Sequence, residues 1–206
     1  MISEPYLTST NIDEKVETWL SSIERKRKWK GTPKRFVLLV LDMQRFFLEP
    51  ESHAFVPAGR AIIPRIKELV HNFNGPVIFT RHVKGSPDNL MNEWWRDAIE
   101  GELSEIIPEL APLVENIIIK EHYSAFFDTA LDERLGALGV DSILITGILS
   151  DLCCETTTRD AFMRGYRSYF LADCTATSTE ERHRSTLNRI SNAFGEVISS
   201  KEQKWP

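Results

Sequence analysis

The feature that most constrains this chain is its repeated switch between short apolar runs and segments with helical spacing. Residues 36–41 are a continuous apolar run, which is typical of a parallel strand buried on both faces. Apolar residues then recur at helical intervals from Ala61 to Phe73, and the breaker Asn74-Gly75-Pro76 precedes a second predicted strand at 77–80. Further strands are predicted at 116–119, 142–146, 168–171 and 196–198.

Predicted helices separate these later strands. One carries leucines at helical intervals up to Gly139, and one covers 152–164 with Gly165 as its stop. The last begins at the pair Ser178 and Glu181, which fits a capping box, and runs to about residue 194. This alternation predicts the α/β class, as a three-layer, doubly wound sheet of about six mostly parallel strands with helices on both faces.

Two segments lie outside the alternation. An amphipathic helix is predicted near the N-terminus, with Asn11 and Glu14 as its cap, and it could pack on its own domain or on a neighbouring subunit. A long polar stretch over residues 84–112 contains Trp94 and Trp95 and is a candidate lid or pocket wall.

Composition excludes several function classes. The net charge of -5 leaves no basic footprint, so we expect no nucleic-acid partner. No apolar stretch reaches the roughly 20 residues that span a bilayer, and the N-terminus lacks a signal-peptide core, so we expect no membrane and a cytoplasmic location. Three cysteines, two of them adjacent, cannot form a disulfide framework and lack the spacing of a zinc site.

Reactive side chains follow the predicted strands. Asp42 directly follows the first, Thr80-Arg81-His82 end the second, Lys120 follows the third, and Cys153 comes after the fourth, past a glycine and a short polar turn. Open α/β sheets bind ligands outside the carboxyl ends of their strands. A helix start and a nearby ammonium can lower the pKa of a thiol from its ordinary value of about 8.5. Each residue alone has a common structural role, but together they indicate a catalytic site.

Three blocks around these residues resemble a known family. LDMQRFF at 41–47, KEHYSAFFDT at 120–129 and GILSDLCCETTTRD at 147–160 are similar to the signature blocks of the isochorismatase-like cysteine hydrolases. That family includes nicotinamidases, N-carbamoylsarcosine amidohydrolases and ureidoacrylate amidohydrolases. The similarity runs from about Phe36 to Lys201, so we expect an N-terminal helical extension over 1–35 and a hydrolase domain over 36–206.

The resemblance implies a triad of Asp42, Lys120 and Cys153 that hydrolyses an amide or carbamoyl-type bond of a small molecule. In this family the aspartate takes the thiol proton, the lysine stabilises charge, and the thiolate forms a thioester that water cleaves. It also implies a cis peptide bond between Ile148 and Leu149 and an oxyanion hole from the backbone N–H groups of Leu149 and Cys153. The block pattern selects Cys153, and not Cys154, as the nucleophile.

Departures from the family pattern bear on metal and substrate. Nicotinamidases carry a metal site of an aspartate and histidines just after the second strand, whereas one histidine stands here between an arginine and a lysine, so we expect no metal and no other cofactor. True isochorismatases cleave a vinyl ether without a cysteine nucleophile, and that reaction is the alternative. A redox-active pair of Cys153 and Cys154 and a non-catalytic member of the fold are further alternatives.

The pocket and the assembly are predicted from the same edge and the same resemblance. Arg81 or His82 could bind a substrate carboxylate or carbonyl, and Trp94 and Trp95 could close over the site. A homo-oligomer, dimer or tetramer, is expected. The remaining candidates for the pocket wall are Gln44, Phe46, Tyr123 and Phe127.

Overall fold

In a computed structural model of the chain, six strands form one parallel sheet with helices around it. The strands are β1 (Phe36–Leu41), β2 (Val77–His82), β3 (Ile117–Lys120), β4 (Ser142–Ile148), β5 (Arg167–Ala176) and β6 (Glu196–Ile198). Their order is β3-β2-β1-β4-β5-β6, and every neighbouring pair runs parallel. The predicted fold class is therefore confirmed. The structure describes residues 3–24, 26–96, 98–202 and 205.

The strand order reverses between β1 and β4, which pair along their whole common length. All residues of both strands are buried, as their apolar runs predict. The last paired residues are Leu41 and Gly147. A Cβ atom on Gly147 would stand 2.0 Å from the carbonyl oxygen of Leu41, so this close approach requires glycine. Ligands of open α/β sheets bind at such a reversal.

The helices alternate with the strands as predicted. None of those in the described part of the chain is long and apolar enough to cross a bilayer. Their bounds are α1 (Ile12–Ser22), α2 (Arg45–Leu48), α3 (Pro57–Asn72), α4 (Leu90–Trp94), α5 (Leu131–Ala137), α6 (Glu155–Met163) and α7 (Glu180–Ala193).

Several boundaries differ from those predicted. Lys120 is the last residue of β3 and does not follow it, and β5 continues past Leu171 to Ala176. The helix predicted over 152–164 is a π-helical turn, Ser150–Cys154, followed by α6. The side chain that caps α7 belongs to Thr179, which accepts a hydrogen bond from the Arg182 N–H, so the predicted cap at Ser178 is wrong by one residue.

The N-terminal segment packs on its own chain. Trp19 of α1 is 1% exposed, and its Nε1 donates a hydrogen bond to Glu180 at the start of α7. Lys15 forms an ion pair of 2.5 Å with the same carboxylate. Asn11 precedes α1 as predicted, but its side chain accepts from the Thr8 N–H instead of capping the helix. Of the two packing modes that the sequence allowed, the structure has the intramolecular one.

Candidate active site

The ends of three strands bring Asp42, Lys120 and Cys153 into contact. Lys120 Nζ lies 2.7 Å from Asp42 Oδ2 and 3.5 Å from Cys153 Sγ, and it also donates to the carbonyl oxygen of His122 at 2.9 Å. All three side chains are buried, and Cys153 is 2% exposed. An ammonium, a carboxylate and a thiol therefore share one enclosed space at the strand-order reversal.

Asp42 is held in a fixed orientation by β2. Its backbone N–H donates to Thr80 Oγ1 at 3.1 Å, and the Thr80 hydroxyl donates to Asp42 Oδ1 at 2.5 Å. The residue has a φ of +49°, in the left-handed region that few side chains other than asparagine and aspartate occupy. The two hydrogen bonds and the ion pair to Lys120 stabilise that conformation.

The three groups shift one another's protonation. Burial alone would raise the pKa of Asp42, but the ammonium of Lys120 and a hydrogen bond from the Cys153 thiol contribute to holding it below its ordinary value. Burial opposes the charge of Lys120, yet Asp42 and Cys153 raise its pKa. Burial raises the pKa of Cys153, and Lys120 offsets this only in part. The resting site thus holds a carboxylate, an ammonium and a neutral thiol.

The turn that carries Cys153 begins at Gly147, which has a φ of +110°. The peptide bond between Ile148 and Leu149 is cis, as the family resemblance implies. The carbonyl oxygen of Leu149 then accepts hydrogen bonds from the N–H groups of Leu152 and Cys154. We call Ser150–Cys154 the nucleophile turn.

Two of the predicted pocket residues lie close to the thiol. His82 offers a ring nitrogen in a group whose ligand atoms, with one each from Asp42 and Cys153, all lie within 4.8 Å of one another. Burial lowers the pKa of His82 to about 4, so the ring is neutral. Tyr123 is half-buried, and burial together with Cys153 raises the pKa of its hydroxyl. Its ring centroid lies 6.4 Å from that of His82.

The other predicted pocket residues have different surroundings. Gln44 is fully buried, and its side-chain amide bonds the backbone N–H and C=O of His82 and the C=O of Ser104. Phe46 is also fully buried and packs edge-on against Trp95. Arg81 forms an ion pair of 2.7 Å with Glu105, and Phe127 is 55% exposed.

The described parts of the segment, 84–96 and 98–112, contact this end of the sheet, where Ile106 bridges to Gln44 and the Arg45 N–H donates to the Glu105 carbonyl oxygen. Trp95 is buried, and its ring centroid lies 6.5 Å from that of Tyr123, whereas Trp94 is 73% exposed. A cavity of about 10 Å³ remains between this segment and His82, lined also by Met91, Asn92 and Trp95. Such a volume holds about one water molecule. Of the two tryptophans, Trp95 packs against Tyr123 and Phe46, and Trp94 is exposed.

Asp42, His82 and Cys153 are the one group in the described ranges with the donor types and spacing of a metal site. The fit to a divalent cation is poor, because the buried ammonium of Lys120 already pairs with Asp42 at 2.7 Å and would repel a second positive charge. The residues at this site favour an ion pair over a metal.

Sequence reasoning did not assign roles to the residues that hold the site together. Thr80 was visible at the end of the second strand, but its bond to Asp42 depends on the register of β1 and β2. Asp151 of the nucleophile turn accepts a hydrogen bond from Thr177, and the side chain of Ser150 bonds His183. These partners come from the residue after β5 and from α7, so no local motif contains both members of a pair.

Comparison with known proteins agrees with this geometry. A family model described as the isochorismatase domain matches residues 36–202. Nicotinamidase 3 of Arabidopsis thaliana is 36% identical over 189 residues, covering 86% of this chain and 93% of the relative. Enterobactin synthase component B of Escherichia coli is 28% identical, over 87% of this chain and 66% of the relative.

A solved structure is also similar to this chain in fold and sequence. The cysteine hydrolase from Pseudomonas syringae pv. phaseolicola superposes with a TM-score of 0.77 at 31% identity, covering 89% of this chain and 96% of that one. The chain belongs to the isochorismatase family, and it is a hydrolase of that family.

Proposed function

We propose that this hydrolase cleaves a carbon–nitrogen bond, of the amide or carbamoyl type, in a small molecule through a thioester on Cys153. The observation that carries the proposal is the contact of an ionised Asp42, an ionised Lys120 and a neutral Cys153 thiol in one enclosed site. A neutral thiol needs a base at the moment of attack, and Asp42 is the base within reach.

In the proposed reaction Cys153 Sγ attacks the substrate carbonyl carbon while its proton moves to Asp42. The negative charge that forms on the carbonyl oxygen is stabilised by the backbone N–H groups of Leu149 and Cys153. The carbon–nitrogen bond then breaks, and the proton on Asp42 passes to the leaving nitrogen. Asp42 then takes a proton from a water molecule, whose oxygen attacks the thioester carbon and displaces the Cys153 thiolate, and Asp42 returns that proton to the sulfur. Lys120 stabilises the carboxylate and the sulfur throughout.

The proposed pocket follows from the surroundings of the thiol. His82 and Tyr123 are the predicted substrate-binding residues nearest to it, and we propose that they contact the substrate. Gln44 supports this wall by bonding the backbone of His82, and Phe46 supports Trp95. Arg81 and Phe127 remain predictions for the outer part of the pocket. The burial of Cys153, which is 2% exposed, and of Trp95 supports a lid role for the segment 84–112, because a substrate would reach the sulfur only after covering residues move.

The test is ammonia release from a panel of nicotinamide, N-carbamoylsarcosine, ureidoacrylate and simple amides. The parent chain should turn over at least one of them, and Cys153→Ala should abolish turnover. Cys154→Ala should retain it, because the Cys154 sulfur lies against the Thr146 carbonyl oxygen, whereas Lys120 Nζ donates to the Cys153 sulfur. Retained activity in Cys153→Ala with loss in Cys154→Ala would refute the assignment. Chelation should leave turnover unchanged, and loss that zinc restores would overturn the metal-free proposal.

The vinyl ether reaction is the second candidate, and it is supported by the similarity to enterobactin synthase component B and to the isochorismatase of Bacillus subtilis, which is 32% identical over 172 residues. That reaction needs no thiol, so Cys153→Ala would retain isochorismate cleavage.

Peroxide treatment followed by intact-mass measurement tests the redox alternative, for which a sulfenic adduct without amide turnover would be the evidence.

We further propose that the chain acts in the cytoplasm as a homo-oligomer, with residues 1–35 as an extension of a hydrolase domain over 36–206. Three free cysteines, all buried, support a reducing compartment. Light scattering on the purified chain tests the assembly, since a mass of 23.6 kDa at working concentrations would mean a monomer.

A further inference from the structure

A buried histidine lies behind the nucleophile turn and takes no part in the reaction proposed above. His183 of α7 is 0% exposed, and its Nδ1 lies 3.0 Å from Oγ of Ser150, with which it shares a hydrogen bond. Ser150 is also fully buried and is the first residue of the nucleophile turn. Burial lowers the pKa of His183 to about 4, so the ring is a neutral partner at physiological pH.

The N-terminal segment holds the His183 ring from the other side. The ring centroid of Trp19 lies 4.7 Å from that of His183, edge to face, and the centroid of Tyr6 lies 6.2 Å away. Both aromatic residues are anchored, because Trp19 Nε1 donates to Glu180 and the Tyr6 hydroxyl accepts from the Thr177 N–H. The imidazole is therefore packed between these rings and Ser150.

Residues 177 and 182, near His183 in the chain, bind the nucleophile turn at a second point. Asp151 accepts a hydrogen bond from the Thr177 hydroxyl, and it lies 3.4 Å from the guanidinium of Arg182. The turn is thus attached at two successive residues, Ser150 and Asp151, to Thr177 just after β5 and to the first turns of α7. Cys153 follows these attachments by two residues, so their geometry sets the position of its sulfur.

We propose that His183 is a positioning residue for Cys153, acting through Ser150, and that Trp19 of the N-terminal segment keeps the imidazole in place. The sulfur has to stay within hydrogen-bond reach of Lys120 and Asp42, and a displacement of about 1 Å in such a site can cost about a hundredfold in rate. The effect on turnover rests on the proposed function, whereas the effect on the thiol does not.

The test compares His183→Leu, His183→Asn and Ser150→Ala in the whole 206-residue chain. Leucine keeps bulk without a hydrogen bond, whereas asparagine places a polar atom near the position of Nδ1. His183→Leu should lower kcat at least about tenfold with little change in KM, and His183→Asn should restore most of it. Ser150→Ala should lower kcat by a similar factor. The double variant of Ser150→Ala and His183→Leu should have the same kcat as His183→Leu, because both substitutions remove the same hydrogen bond.

A measurement on the thiol separates this proposal from the proposed function. The rate of Cys153 alkylation by iodoacetamide is measured against pH by peptide fragmentation, which distinguishes Cys153 from the adjacent Cys154. In His183→Leu the midpoint of this pH profile should move by at least about one pH unit towards the value of an ordinary thiol. The alkylation profile of His183→Asn should move less than that of His183→Leu, and the profile of Trp19→Leu should move in the same direction as that of His183→Leu. Ile190→Ala, which removes a fully buried side chain elsewhere on α7, should not shift the profile despite its lower stability.

The outcomes are distinguishable. A parent chain that releases no ammonia from any amide defeats the proposed function, while the alkylation profiles still test His183. Profiles of His183→Leu and Ser150→Ala that match the parent overturn the positioning role. An unchanged profile in Trp19→Leu overturns the role of the N-terminal segment. If His183→Leu does not fold, Ser150→Ala decides the question, because it removes a single oxygen.

Discussion

Removal of the Lys120 ammonium should destabilise the chain at neutral pH. The substitution Lys120→Met keeps most of the side-chain volume and leaves Asp42 without its ion pair. At the observed separation of 2.7 Å, two unit charges interact by about 6 kcal/mol at an effective dielectric constant of about 20. Part of this lost interaction energy is offset, because the variant does not have to remove an ammonium from water when it folds. We expect a net loss of about 3–5 kcal/mol in the free energy of unfolding at pH 7.

The pH dependence of this loss has a defined sign. In the parent chain the lowered pKa of Asp42 stabilises the fold above the ordinary carboxyl value of 3.8, and the stabilisation is lost as pH falls through the lowered pKa. In Lys120→Met burial dominates, so the pKa of Asp42 rises above 3.8. A raised carboxyl pKa gives stability that is fully present at low pH and is lost as pH rises through it. The difference between parent and variant should therefore be large at pH 7 and smaller near pH 4.

Urea unfolding at both pH values measures these free energies, and amide turnover is followed in parallel. The control is the double variant Asp42→Asn with Lys120→Met, which removes both charges and should recover at least half of the lost stability without recovering turnover. Two results would refute the interpretation of Asp42 and Lys120 as a buried ion pair in which each charge stabilises the other. One is a loss below about 1 kcal/mol in Lys120→Met at pH 7, and the other is a double variant that is as unstable as Lys120→Met.

Three other outcomes follow from the structure. Gly147→Ala should give no soluble folded chain, because the added Cβ meets the backbone oxygen of Leu41 at 2.0 Å; a cooperative thermal transition like that of the parent would contradict this. Trp19→Ala should lower the free energy of unfolding by about 3–5 kcal/mol in urea, since the side chain is 1% exposed. The ratio kcat/KM should stay level from about pH 5 to 8 and fall near pH 4 and below, where Asp42 and His82 take up protons. An inflection near pH 6.5 would instead mean that His82 titrates as an ordinary histidine.

The central strands of the sheet could be predicted from sequence because they are buried on both faces. Continuous apolar runs bounded by breakers identify β1 and β4 with little ambiguity. The end of β5 could not be predicted, because Asp173 normally argues against a strand interior. Here its carboxylate is satisfied by an ion pair of 3.2 Å with Arg65 and by the backbone N–H and hydroxyl of Ser200, so the strand continues through it.

The reactive residues of the site could be predicted because their chemistry is visible at strand ends. Asp42, Lys120 and Cys153 stand out by type and position, and the structure brings their side chains together. The residues that fix their geometry could not be found in the same way. A threonine such as Thr80 or a buried histidine such as His183 has no distinctive pattern, and its role exists only through a partner distant in the chain.

The topology explains why a lysine, and not a shorter or bulkier cation, occupies position 120. β3 is separated from β1 by β2, and neighbouring strands lie about 4.8 Å apart, so the cation has to reach across a strand to meet Asp42. Lysine carries a compact point charge on a long stem, which suits this path through a buried site. Because the thiol is neutral at rest, the sulfur gains negative charge only as the proposed reaction proceeds. The attraction between Lys120 and Cys153 is then stronger in the transition state than in the resting site, which is the condition for an interaction to accelerate the chemical step.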